Sequence, residues 1–190
     1  MTMRRLALLL FLASMLGACN LVSDYGRTSP GDRKGYLTYI NHTLGVTFLV
    51  PQGWNNRMDN GGNYNMVPLQ GGGDSFSART SPLRDLFAGD LPENASLDQV
   101  HERMLERWYR PSDIGPDFEI SSRKSTLSGK PAWEITYAYT PEGMDRRWVK
   151  MIFTLDQGRV YMLRWYARKA TKDRYAREYN VVRNAYTILN

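Results

Sequence analysis

Three stretches between residues 132 and 167 alternate apolar and polar side chains with a period of two, separated by two tight-turn sequences. Ala132–Thr140 sets Trp133, Ile135, Tyr137 and Tyr139 on one face and Ala132, Glu134, Thr136 and Ala138 on the other. Pro141-Glu142-Gly143 turns the chain into Arg147–Leu155, which aligns Val149, Met151, Phe153 and Leu155. Asp156-Gln157-Gly158 turns it again into Val160–Ala167, which aligns Tyr161, Leu163, Trp165 and Ala167. Successive side chains on a strand point to opposite faces, so this pattern is that of strands with one apolar face each. Three in a row with short turns predict an antiparallel meander.

The flanking segments complete an α+β domain. Tyr36–Ile40, Gly45–Val50, Tyr64–Leu69, Ser75–Thr80 and Phe118–Leu127 carry the β-branched and aromatic content of strands, and Pro51 stops the second of them. Leu83–Asn94 reads as irregular. Ser96-Leu97-Asp98-Gln99 is a capping box, in which the Ser hydroxyl serves a free backbone N–H and the Gln amide reaches back. Leu97, Val100, Met104 and Trp108 follow it at helical spacing until Pro111. A closing helix, capped by Thr171, is expected to carry Tyr175, Tyr179, Val182, Tyr186 and Leu189 as one apolar stripe. The predicted fold is a central antiparallel sheet packed by helices.

The N-terminus directs the chain out of the cytoplasm. Arg4 and Arg5 precede an apolar run, Leu6–Ala13, and small residues lead to a cysteine, the layout of a secretory signal peptide. The run is shorter than the roughly 20 residues of a transmembrane helix. Leu16-Gly17-Ala18-Cys19 resembles a bacterial lipobox, and Cys19 is the only cysteine in the chain. The resemblance implies cleavage after Ala18 and lipid on the Cys19 sulfur, each buried acyl methylene contributing about 0.8 kcal/mol of membrane binding. Residues 1–18 are therefore read as signal peptide, 19–35 as a flexible Gly- and Ser-rich tether, and 36–190 as one domain. Asn20, rather than Asp, points to the outer membrane, facing the periplasm. The mature chain would keep 172 residues, enough to bury about two thirds of its unfolded surface. It would have no thiol for disulfides or metal, and 23 basic side chains against 19 acidic ones. That mild excess suits anionic headgroups or an acidic partner. Export and the scattered basic residues argue against nucleic acid.

Gly45-Val-Thr-Phe-Leu-Val-Pro51 with Gly53-Trp54, the capped helix, Leu127–Tyr137, Gly158–Trp165 and the closing helix together resemble the PsbP-like superfamily, in particular DcrB-type bacterial lipoproteins. The similarity covers residues 36–190. It implies an α/β/α sandwich and a protein that binds other proteins rather than an enzyme.

Chemistry-bearing motifs are scarce. His42 falls in a turn, and His101 sits on the flank of the first helix as an ordinary surface or boundary residue. Gly71-Gly72-Gly73-Asp74 lacks the Lys-Ser/Thr and helix start of a phosphate loop, and Ser75 and Ser77 have no nucleophile elbow. Glu102 and Glu106 alternate with Arg103 and Arg107 as a solvated helix face. No catalytic residue, metal site or cofactor is expected. The richer signal is the load of twelve Tyr and five Trp, which fills a core or equips a binding face. Arg147, Trp148, Lys150, Arg164 and Tyr166 are read as one partner-binding patch opposite the core face, or else as residues beneath a helix layer with their Arg stems reaching out. The leading expectation is thus a non-catalytic, lipid-anchored envelope protein that binds another envelope protein as adaptor or accessory subunit. The alternative is a periplasmic small-ligand carrier or hydrolase with an aromatic-lined pocket.

Overall fold

The computed structural model describes residues 27–58, 63–69, 74–108 and 117–189. The signal-peptide and Cys19 readings lie outside the described residues. The chain begins with β1 (Arg27–Pro30), β2 (Tyr36–Asn41), β3 (Val46–Pro51), β4 (Asn55–Met58), β5 (Tyr64–Val67) and β6 (Ser75–Pro82). Two helices follow, α1 (Leu83–Leu86) and α2 (Leu97–Trp108). Then come β7 (Glu119–Leu127), β8 (Lys130–Tyr139), β9 (Arg147–Asp156), β10 (Arg159–Arg168), α3 (Ala176–Ala185) and β11 (Thr187–Ile188).

The predicted meander is present and extended to four strands. β7, β8, β9 and β10 pair antiparallel in sequence order, and β6, β5 and β4 continue the sheet beyond β10 to make seven strands. Two of its turns are two-residue loops with both residues at positive φ: Ser128 (54°) with Gly129 (72°), and Gln157 (47°) with Gly158 (69°). Such turns match the right-handed twist of the flanking strands, and they fix the register of the hairpins they close.

That register has a consequence for the two apolar rows. Met151 stands opposite Arg164, and Lys150 opposite Trp165. The Val149–Met151–Phe153 row and the Leu163–Trp165–Ala167 row therefore lie on opposite faces of the sheet, and both faces are covered. On one, Val100 and Met104 of α2 with Leu83, Leu86 and Phe87 pack against Ile135, Met151, Phe153, Val160 and Met162. On the other, α3 and a second sheet, ordered β1-β2-β3-β11, pack against Phe76, Ala78, Ile152, Leu163 and Trp165. The α/β/α expectation holds with one addition, since strands share the outer layer with α3. Phe48 of β3 meets Tyr64 edge-on at 5.5 Å and stacks with Tyr186 at 5.7 Å, joining the second sheet to the first and to the chain's end.

Local chemistry explains the helix ends. The Ser96 N–H donates to Gln99 Oε1 (2.8 Å) and the Gln99 N–H to Ser96 Oγ (3.2 Å), closing the capping box. His101 is buried, not a surface residue, with its ring stacked on Trp133 at 3.8 Å. Burial lowers its pKa against the opposing pull of Asp98 and Glu102. The Trp133 indole N–H donates to Asp98 Oδ1 at 2.8 Å, so one tryptophan holds α2 at two points.

Four expectations are corrected. Thr171 does not cap α3: its hydroxyl donates to Asp74 Oδ1 (2.8 Å), and the helix starts at Ala176. Leu189 lies past the helix, because Thr187–Ile188 leaves it to pair with β3. Residues 27–30, read as tether, form β1 against β2, since main-chain pairing asks nothing of side-chain polarity. Leu83–Leu86, read as irregular, is a single helical turn whose Leu83 and Leu86 are buried.

Tyr179 stacks with Trp165 at 5.3 Å and with Phe76 at 6.0 Å and is 1% exposed. Tyr179→Ala is expected to cost about 3–5 kcal/mol in chemical denaturation. A loss below about 1 kcal/mol, the range of surface changes, would show that α3 does not seal this core.

Candidate functional site

The covering layers reach only part of β7. On the face that α3 covers, that helix lies over the turn end of the β7–β8 hairpin, where Leu127 and Ala132 are buried with it. Toward the other end β7 is exposed from Glu119 to Lys124. A shallow groove results. A hollow of about 380 Å³ is lined by Ser121, Ser122, Arg123, Glu134, Thr136, Trp148 and Lys150. A smaller one of about 220 Å³ adjoins it, sharing Ser121, Thr136 and Trp148 and reaching Glu119 and Ile120.

Glu134 organises the groove. Its side chain is 3% exposed, and an isolated carboxylate in such a place costs several kcal/mol of desolvation. Three cations offset that cost. Arg123, directly across the ladder, donates Nε and Nη2 to Glu134 Oε1 at 3.0 and 2.6 Å. Arg183 of α3 places Nη1 3.5 Å from Oε2 and gives Nη2 to Ser125 Oγ at 2.8 Å, tying the helix to the rim. Lys150 stands 3.9 Å from Oε1. Its ammonium also sits over the rings of Trp148 (5.4 Å) and Tyr179 (5.6 Å), where the ring faces attract a cation. Burial and the neighbouring Glu134 charge both raise the Tyr179 pKa, so this hydroxyl stays neutral. Trp148 is braced edge-on against Trp165 at 4.9 Å, which fixes the wall of the groove.

The five-residue patch read from the sequence is divided by the register. Trp148 and Lys150 are in the groove, beside Thr136 and Ala138 of β8. Arg147, Arg164 and Tyr166 lie on the α2 face, opposite Tyr139, Met151 and Val149. There the Arg147 guanidinium sits over the Tyr166 ring at 5.6 Å, Tyr139 and Tyr166 bring their hydroxyls within 3.4 Å, and Arg164 is exposed. The cause is parity: Arg147 and Trp148 are successive on β9 and point to opposite faces, and a two-residue turn at 157–158 pairs even positions of β9 with odd positions of β10.

Arg123, Glu134 and Arg183 were missed in the sequence. The first two were within reach, because counting back from the Ser128-Gly129 turn sets Arg123 opposite Glu134. Arg183 comes from the far end of the chain and leaves no local trace. Elsewhere, Arg103 of α2 pairs with Glu106 at 2.9 Å and with Asp90 at 2.7 Å, as a solvated face does. Among the described residues no cluster of His, Cys, Asp and Glu is arranged to hold a metal ion.

Glu134→Ala is expected to destabilise the fold by about 2–3 kcal/mol, because it leaves the half-buried Lys150 and Arg183 without their shared anion. Arg123→Ala should cost about 1 kcal/mol, since Arg123 is 68% exposed and Glu134 keeps two cations. Urea denaturation of both variants gives the order, and the reverse order would contradict it.

The family model described as PsbP matches residues 34–188. The solution structure of cyanobacterial PsbP (CyanoP) from Synechocystis sp. PCC 6803 superposes with a TM-score of 0.59 at 14% identity, covering 86% of this chain and 98% of that one. LpqN of Mycobacterium tuberculosis, described as involved in cell envelope biogenesis, gives 0.50 at 20% identity, covering 76% of this chain and 83% of that one. At such identities these likenesses speak for the fold alone. A search of the curated proteins finds no match.

Proposed function

Because the chain belongs to the PsbP family, we propose that it is a non-catalytic, lipid-anchored protein of the bacterial cell envelope that binds another protein as adaptor or accessory subunit. The observation that carries this reading is the groove itself. It is shallow and open along an edge strand, with a rigid tryptophan wall and fixed cations, the make-up of a protein-binding surface. It offers little to catalysis. No histidine lines it, the carboxylate of Glu134 is engaged by three cations, and neither Ser121 nor Ser122 has a base hydrogen-bonded to it among the described residues. A shallow groove also favours a protein partner over the carrier or hydrolase alternative, which calls for a concave, enclosing pocket.

Lipid on Cys19 would hold the domain at the membrane, with the outer membrane, periplasmic side, as the proposed address. LpqN, which shares the fold, is described as involved in cell envelope biogenesis, in keeping with that address.

The test expresses the full chain with its own leader in its own host, fed a labelled fatty acid, and purifies it from solubilised envelopes. The wild type should carry the label, fractionate with the outer membrane and bring down one partner protein. Cys19→Ser should lose label and membrane. Arg123→Gln should lose the partner while staying folded, its thermal midpoint lower by about 2–4 °C at most, while Arg164→Gln, on the other face, should keep it. Acylated Cys19→Ser protein would overturn the anchor, and capture lost with Arg164 but not Arg123 would overturn the groove.

A further inference from the structure

The groove's charge is not closed by the described residues. Among the described residues, Glu134 is the carboxylate within 4.0 Å of Arg123, Lys150 and Arg183. The other acid on the rim, Glu119, is held by Arg146 at 2.7 Å. Three cations around one anion leave an excess of positive charge. Lys150, at 3.9 Å from Glu134, is beyond hydrogen-bonding distance and keeps its donors for something else. The hydroxyls of Ser121 and Thr136 line the same hollow.

Beside this hollow runs an open backbone. The seven-stranded sheet ends at β7, and its nine residues have no neighbouring strand on the outer side among the described residues. Such an edge is a template for an added strand, whose alternate side chains would fall on the groove face. A second copy of the chain fits poorly. A copy of β7 would bring its own Arg123 and Lys124 to a rim that is already cationic, and its one acid, Glu119, is held by Arg146.

We propose that the groove takes an acidic segment of a partner protein, extended along β7 and placing a Glu or Asp side chain between Arg123 and Lys150 with Trp148 as its wall. This rests on the protein-binding reading above and names the chemistry of the partner. A carboxylate there would gain charge-assisted hydrogen bonds from groups already held in place by Glu134, the aromatic rings and α3, so little ordering is left to the moment of binding.

The experiment uses the full chain, isotope-labelled and purified in detergent, with four probes followed by amide and indole shifts. These are a capped ten-residue peptide alternating Glu and Thr, its Lys-Thr counterpart, inorganic phosphate, and bicelles containing phosphatidylglycerol. The Glu-Thr peptide is expected to shift the amides of Ile120–Lys124 and the Trp148 indole, saturably and less tightly as salt rises. Lys150→Gln and Arg123→Gln should each weaken it about tenfold, the order of one charge-assisted hydrogen bond, with spectra elsewhere unchanged. Equal shifts from the Lys-Thr peptide, or from phosphate alone, would overturn the proposal, as would bicelles that occupy the groove in the peptide's place. A partner captured through Arg123 in envelopes, with no response to the Glu-Thr peptide, would also overturn it while leaving the adaptor reading intact. Peptide binding with no captured partner would support the groove chemistry and count against the adaptor.

Discussion

At its centre the seven-stranded sheet buries side chains on both faces, and the other elements are placed by that requirement. Met151 and Phe153 point one way from β9, Ile152 the other; Val160 and Met162 point one way from β10, Leu163 and Trp165 the other. Removing apolar area from water contributes about 25 cal/mol per Å², so neither face can be left bare. A single amphipathic layer satisfies one of them. The second needs its own cover, which α3 and the four-stranded sheet supply together. Cover on both sides leaves the central strands little free surface, and the sheet meets water at its β7 rim.

The Glu134 cluster marks the border between the two regimes. Toward α3 the environment is aromatic, with Tyr179, Trp165 and Phe76 in one stack. Toward β7 it is hydroxyls and guanidinium groups. A buried ion cluster is seldom a source of net stability, because desolvation consumes most of the Coulombic gain. Its value here is geometric: it fixes Arg123 and Lys150 at the mouth of a groove and links α3 to the rim through Arg183 and Ser125.

Much of the fold was legible because local rules and tertiary context agree. The capping box at Ser96 and Gln99, the turns at 128–129 and 157–158, and the alternating rows of β8, β9 and β10 all appear where residue types place them. The site was half legible. Trp148 and Lys150 stood out as polar-face residues on an aromatic-rich strand, but grouping them with Arg147, Arg164 and Tyr166 assumed one core face, and alternation alone does not say how many faces are covered. Turn length decides it, since the register at Gln157-Gly158 sends the two apolar rows to opposite sides. Thr171 misled for another reason. A hydroxyl that would suit a helix start is spent on Asp74, a contact across 97 residues that no local pattern encodes. Arg183 was invisible in the same way.

The central claim is that the sheet is closed on both faces at β9 and β10 and open at β7. Native-state hydrogen exchange of the full chain measures it residue by residue. Amides of Met151–Phe153 and Leu163–Trp165 are expected to exchange only with global unfolding, while the outward amides of β7 exchange freely. Protection of those β7 amides equal to that of β10 would show that the rim is covered in the isolated protein, and would contradict the account.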